Sequence, residues 1–152
     1  MTPEEKIAEL GLTLPPVVAP LAAYVPAVRT GDLVYTSGQV PMVDGKPAFT
    51  GKVGTEVSLD DAREAAKICA LNALAALKSE IGDLAKVVRI VKVVAFVASD
   101  PSFTQQPQVA NAASELLGEV LGEAGKHARS AVGVAVLPLD VPVEVELIAE
   151  VS

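Results

Sequence analysis

The stretch that most limits the possible folds is residues 87–99, VVRIVKVVAFVAS. From Val93 to Ala98 it is apolar at odd and even positions alike. Side chains of a strand alternate between the two faces of a sheet, so apolar residues at both parities call for cover on both sides. As a membrane helix the run is far too short, because spanning a bilayer takes about 20 residues. A chain containing it must place this strand inside a sheet and bring something to lie on each face.

Two long helices are what the chain can bring. Ser58 heads the first as N-cap, with Asp61 three residues on, and Gly82 stops it after about Ile81. Its apolar stripe is Ala62, Ala66, Cys69, Ala73, Ala76 and Leu77, small side chains that let a helix lie close on a sheet. The second helix begins near Pro107 and carries Val109, Ala113, Leu116, Leu117, Val120 and Leu121 on one side. Residues 3–10 predict a short helix stopped by Gly11, followed by a lead-in with Pro15, Pro16, Pro20 and Pro26 that runs extended over the surface. Strand signals fill 28–51, with Asp44-Gly45 as a tight hairpin turn, and two last strands at about 130–137 and 143–151 flank the connector PLDVP.

That order reads as a single α+β domain over 1–152, with 1–19 as N-terminal helix and lead-in. Its sheet is mixed and carries both long helices on one face. Two helices cover one face only, so the other predicts contact with a second copy of the chain. A homo-oligomer is expected.

Composition narrows the partners. The net charge is −7, Trp is absent and aromatics make up 3%, so neither phosphate neutralisation nor base stacking is well served and no nucleic-acid partner is expected. The one cysteine, Cys69, allows no intrachain disulfide and reads as a small buried hydrophobe. With an acidic N-terminus and no apolar signal region, a cytoplasmic protein without membrane contact is expected.

Arg129 is the residue that asks for an explanation. It heads ARSAVGVAVLP (128–138), and on a strand it shares a face with Ala131, Gly133, Ala135 and Leu137. A guanidinium keeps its charge, so beside an apolar sheet it needs an anionic partner, from its own chain or from solution. Glu144, Glu146 and Glu150 share a face of the last strand. The short connector makes the last two strands antiparallel, so Arg129 and Glu144 start at opposite ends, roughly 20 Å apart at about 3.3 Å per residue. Glu150 is then the expected neighbour of Arg129 within a chain, and Arg129 can share a site with Glu144 only across a subunit boundary.

Taken together, Tyr24-Val-Pro-Ala, VYTSGQVP (34–41) and ARSAVGVAVLP followed by VEVE (143–146) resemble the YjgF/RidA family, over residues 20–151. The resemblance implies a chorismate-mutase-like fold, a homotrimer with ligand sites in clefts between subunits, and no metal or organic cofactor. The implied activity is hydrolysis of reactive 2-enamine and 2-imino acids to 2-keto acids and ammonia. On this reading Arg129 grips the substrate carboxylate and Glu144 positions or activates water, while Tyr24, Ser37, Gly38, Asn111 and Ala131 line the cleft. The chain departs from the family pattern at His127, where proline is common, at Ala131, where cysteine is common, and in its added N-terminal helix. Those departures keep open a non-catalytic module that binds small 2-keto acids, and a further role for His127. An endoribonuclease or translation inhibitor is the remaining alternative.

Overall fold

The computed structural model describes residues 1–17 and 22–152; the predicted lead-in residue Pro20 lies outside them. The N-terminal helix α1 (Pro3–Glu9) opens on a capping box in which Thr2 and Glu5 satisfy each other's backbone N–H groups. Glu4 then reaches across the chain, accepting a bond from the Leu84 amide at 2.7 Å and standing 3.6 Å from Lys78. Beyond α1, Thr13–Val17 border an apolar recess of about 520 Å³ with Leu71, Asn72 and residues 42–45.

Four short strands follow, β1 (Ala27–Thr30), β2 (Leu33–Thr36), β3 (Met42–Val43) and β4 (Lys46–Pro47). The expected turn at Asp44-Gly45 is present and joins β3 to β4, with both residues at positive φ (51° and 78°). The hairpin that enters the main sheet is a different one, β1–β2, which turns at Gly31-Asp32. Helix α2 (Leu59–Ile81) starts on Ser58, whose hydroxyl accepts from the Asp61 amide, and ends at Gly82. All six stripe residues are buried, and burial continues unbroken from Cys69 to Leu77. Within that stretch Asn72 is 4% exposed and donates to the carbonyls of Val40 (3.0 Å) and Met42 (3.3 Å), fastening α2 to the β3 segment.

Strand β5 (Val87–Ala98) lies inside the sheet next to its edge, α3 (Gln106–Leu121) crosses over, and β6 (Ala128–Val134) and β7 (Val143–Val151) complete the sheet in the order β1-β2-β7-β5-β6. Because α3 carries the chain back over the sheet, β6 runs parallel to β5, while β7 runs antiparallel to β5 and β2. The sequence places the next-to-last strand at 130–137; the structure ends it at Val134, so Ala135 and Leu137 leave the face they were expected to share with Arg129.

Register sorts the two faces. Val93, Ala95 and Val97 oppose Leu147, Val145 and Val143, all buried beneath α2 and α3. The alternate positions Val94 and Phe96 look the other way, opposite Glu146 and Glu144, and are only half-buried, Phe96 packing against a small cluster of Ala98, Leu137 and Val141. Val28, Tyr35 and Val132 extend that open face as exposed apolar side chains, with Ile148 half-buried among them. The fold is the expected one, a mixed sheet with both long helices on one side.

Candidate functional site

Arg129 sits on the edge strand β6 opposite Val93, so its side chain emerges on the helix-covered face. Helix α3 meets it there. Arg129 Nη1 donates to Asn111 Oδ1 at 2.8 Å and to Ser114 Oγ at 3.1 Å. Those two residues are three apart on one helix and therefore share a face. Ser114 Oγ also lies 2.9 Å from His127 Nε2, and His127 Nδ1 lies 2.6 Å from the Gly125 carbonyl. Ser114, Gly118, Gly125, Lys126, His127 and Arg129 line an open cavity of about 350 Å³. Among the described residues no carboxylate comes within ion-pair distance of Arg129. Neutral groups aim the guanidinium without compensating its charge.

Glu144 stands on the open face opposite Phe96. Its carboxylate rests on Gly38, where a Cβ would come within 2.6 Å of Oε2, so only glycine admits it in this position. Gly38 is held by its neighbours. Ser37 donates from its amide to the Pro26 carbonyl (2.8 Å) and from Oγ to that of Val25 (2.5 Å). Gln39 exchanges backbone bonds of 2.8 and 2.9 Å with Val145. Burial, and then the like charge of Glu146 on the same face, raise the Glu144 carboxyl above the ordinary range. Beneath the sheet, burial and the Glu144 charge push the Cys69 thiol well up, so it stays protonated and packs as the expected buried hydrophobe. Tyr24 is exposed, one residue before the Val25 carbonyl that Ser37 holds.

The structure thus gathers the expected site residues into two separate groups rather than one. Arg129, Asn111, His127 and Ala131 belong to the helix-side edge, with Ala131 opposite Ala95. Glu144, Ser37, Gly38 and Tyr24 belong to the open face and the segment leading into it. The expected Arg129–Glu150 neighbourhood is corrected. The last two strands do not pair but flank β5, and Glu150 opposes Arg89, four residues along β5 from the Arg129 partner Val93. Glu144 is three residues along in the other direction, roughly 14 Å from Arg129 at about 3.3 Å per residue and 4.8 Å per strand, less than the 20 Å expected. The two side chains also point to opposite faces. Within one chain they do not meet.

Ser114 is the participant that residue-by-residue reading of the sequence misses. Its signal was the three-residue spacing from Asn111, which puts both on the helix face turned toward β6. Among the described residues no three His, Cys, Asp or Glu side chains gather around a point that a metal could occupy, and no helix is long and apolar enough to cross a membrane.

A family described as "YjgF/chorismate_mutase-like, putative endoribonuclease" matches residues 4–151. Protein TCP17 of Trypanosoma cruzi is 42% identical over 147 residues, covering 96% of this chain and 92% of its own. The crystal structure of Atu1372 from Agrobacterium tumefaciens, described as of unknown function, superposes with a TM-score of 0.94 at 48% identity, covering 99% of this chain and 92% of that one. TdcF of E. coli, solved with bound serine, superposes with a TM-score of 0.67 at 26% identity over 90% of this chain and 94% of its own. With its mixed sheet, its two helices on one face and a match over nearly its whole length, the chain belongs to the YjgF/chorismate-mutase-like family.

Proposed function

We propose that the protein is a homotrimeric hydrolase of reactive 2-imino and 2-enamino acids, working in clefts where Arg129 of one chain faces Glu144 of the next. The observation that carries this reading is Arg129 itself, a permanent charge aimed by Asn111 and Ser114 into a cavity, with no carboxylate of the described residues in ion-pair range. A planar guanidinium donates two parallel bonds to one carboxylate, and a small anionic substrate supplies what the chain withholds. The serine bound by TdcF is a molecule of that size and charge pattern. Support for the split site comes from β6 being a sheet edge and from the open apolar face that carries Glu144, two surfaces that a neighbouring copy would cover together.

The reaction then runs on one carboxyl group. An enamine substrate first takes a proton on carbon to become the iminium. Glu144 removes a proton from water as its oxygen bonds to the imine carbon, giving a carbinolamine. The same carboxyl group returns the proton to nitrogen and then, ionised again, takes the hydroxyl proton as the C–N bond breaks, so that ammonia departs and a 2-keto acid remains. A carboxyl group whose proton affinity is raised is suited to these steps near neutrality.

With imines generated in situ by an amino-acid oxidase, the protein should speed ammonia release. Arg129→Ala should lower kcat/KM by about 100-fold or more, the loss of two charge-assisted bonds, and Arg129→Lys should restore little. Wild-type rates in Arg129→Ala would remove this mechanism. The second reading, a non-catalytic binder of 2-keto acids, is favoured by Ala131 and His127, which depart from the family pattern. It predicts calorimetric binding of 2-ketobutyrate with no acceleration of imine hydrolysis.

A further inference from the structure

The arrangement around Ser114 has a chemical consequence that follows from counting hydrogen-bond valences. The Gly125 carbonyl can only accept, so His127 Nδ1 carries a proton and, in the neutral ring, Nε2 is the acceptor. Ser114 must then spend its single O–H on Nε2. Of the two Ser114 lone pairs, Arg129 Nη1 occupies one at 3.1 Å. What remains for anything in the cavity is one acceptor position.

Protonating His127 reverses this. Nε2 becomes a donor, and together with Arg129 it fills both lone pairs of Ser114, which frees the hydroxyl hydrogen. What Ser114 then offers the cavity is a donor. The hydroxyl is thus a converter whose sign is set by the protonation of the only histidine in the chain.

We infer that Ser114 and His127 form a proton relay that contacts the group adjoining the carboxylate held by Arg129. The neutral relay accepts a hydrogen bond from a substrate N–H, and the protonated relay donates one to an imine nitrogen or a product carbonyl oxygen. Ser114 touches the ligand, and His127 acts through it. The inference rests on the proposed function to the extent that Arg129 binds a carboxylate whose neighbouring atom then lies within reach of Ser114.

The charges around the relay are few. Lys126 and Arg129 line the cavity, Lys126 is paired with Glu123 at 2.9 Å, and Lys92 on the adjacent β5 turns to Ser130 on the opposite face. On α3, Glu115 is taken by Arg63, and Glu119 lines the recesses on the far side of the helix. None of these supplies a negative charge to His127 from within the chain, and the Glu144 that the proposed cleft brings from the neighbouring copy is common to both ligands of the test, so the difference between two ligands of equal charge reports on the ligand.

The test uses the solitary histidine as its own probe. Long-range proton–nitrogen NMR of the whole protein should first find the neutral ring protonated at Nδ1; an Nε2–H tautomer overturns the relay. His127 is then titrated with saturating butyrate and with 2-ketobutyrate, equal in charge but differing in the carbonyl acceptor beside the carboxylate. The keto acid should raise the His127 midpoint by about 0.7 pH unit more than butyrate, roughly a fivefold difference in proton affinity from one added hydrogen bond. In Ser114→Ala that difference should vanish while the shift common to both acids, which is electrostatic, survives. Equal shifts in the wild type, or a difference that persists in Ser114→Ala, would refute the relay and leave the deaminase reading standing. Failure of both acids to bind would instead remove carboxylate recognition by Arg129, and the relay with it.

Discussion

At the residue scale the two groups follow opposite electrostatic designs. Arg129 keeps a charge that no carboxylate among the described residues neutralises, and Glu144 sits where burial and Glu146 both oppose its charge. The second design has a measurable signature. Glu144 titrates above an ordinary carboxylate, so the group stabilises the fold fully at pH below the ordinary carboxylate range. That stabilisation is lost as pH rises through the higher folded-state value. Glu146→Gln removes the smaller of the two causes. It should move the acidic limb of kcat/KM to lower pH, though not as far as an unperturbed carboxylate, and raise Tm at neutral pH more than at acid pH. An unmoved limb would mean that Glu144 is not the titrating base.

At the element scale the site depends on how α2 and α3 are held. Helix α3 brings Asn111 and Ser114 to Arg129, and the turn after it folds close against the helix because position 125 is glycine: a Cβ on Gly125 would come within 2.3 Å of the Leu117 carbonyl. That same turn presents the carbonyl that orients His127. Helix α2 is held on its other flank by Asn72, the buried amide that spans to Val40 and Met42. Asn72→Ala should cost about 1–3 kcal/mol, lowering Tm by roughly 2–12 °C, with the far-UV spectrum unchanged. A Tm unchanged from wild type would show that the β3 segment needs no such tie.

At the scale of the whole molecule, function as proposed requires more than one copy. Arg129 lies on the covered face at the sheet edge and Glu144 on the open face, so completing a site takes two chains. Co-refolding Arg129→Ala with Glu144→Gln in equal amounts tests this directly. Each variant alone should be nearly inactive. In a cyclic trimer with random mixing, one boundary in four joins an intact Arg129 to an intact Glu144, so the mixture should recover about one quarter of wild-type activity. No recovery from a verified mixed trimer would place both residues in one chain's site or remove one of them from the reaction.

Much of this fold is written locally. The 3.6-residue periodicity and end signals of α2 and α3, the two-sided apolar run of β5 and the Asp44-Gly45 turn each depend on residues close together in the chain, so the sequence alone determines them. The same holds for the chemical oddity of Arg129 and for the family to which the motifs point. The lateral order of strands is not local. Only tertiary packing sets β6 parallel to β5 at the edge and β7 on the other flank, which moved Glu150 away from Arg129 and put Arg129 and Glu144 on opposite faces. Ser114 and His127 are likewise 13 residues apart and become hydrogen-bonded only when α3 folds back over the sheet. Periodicity says which way a side chain faces within its own element. What it meets there depends on where packing places the next element, and that is decided by the burial of the whole core at once.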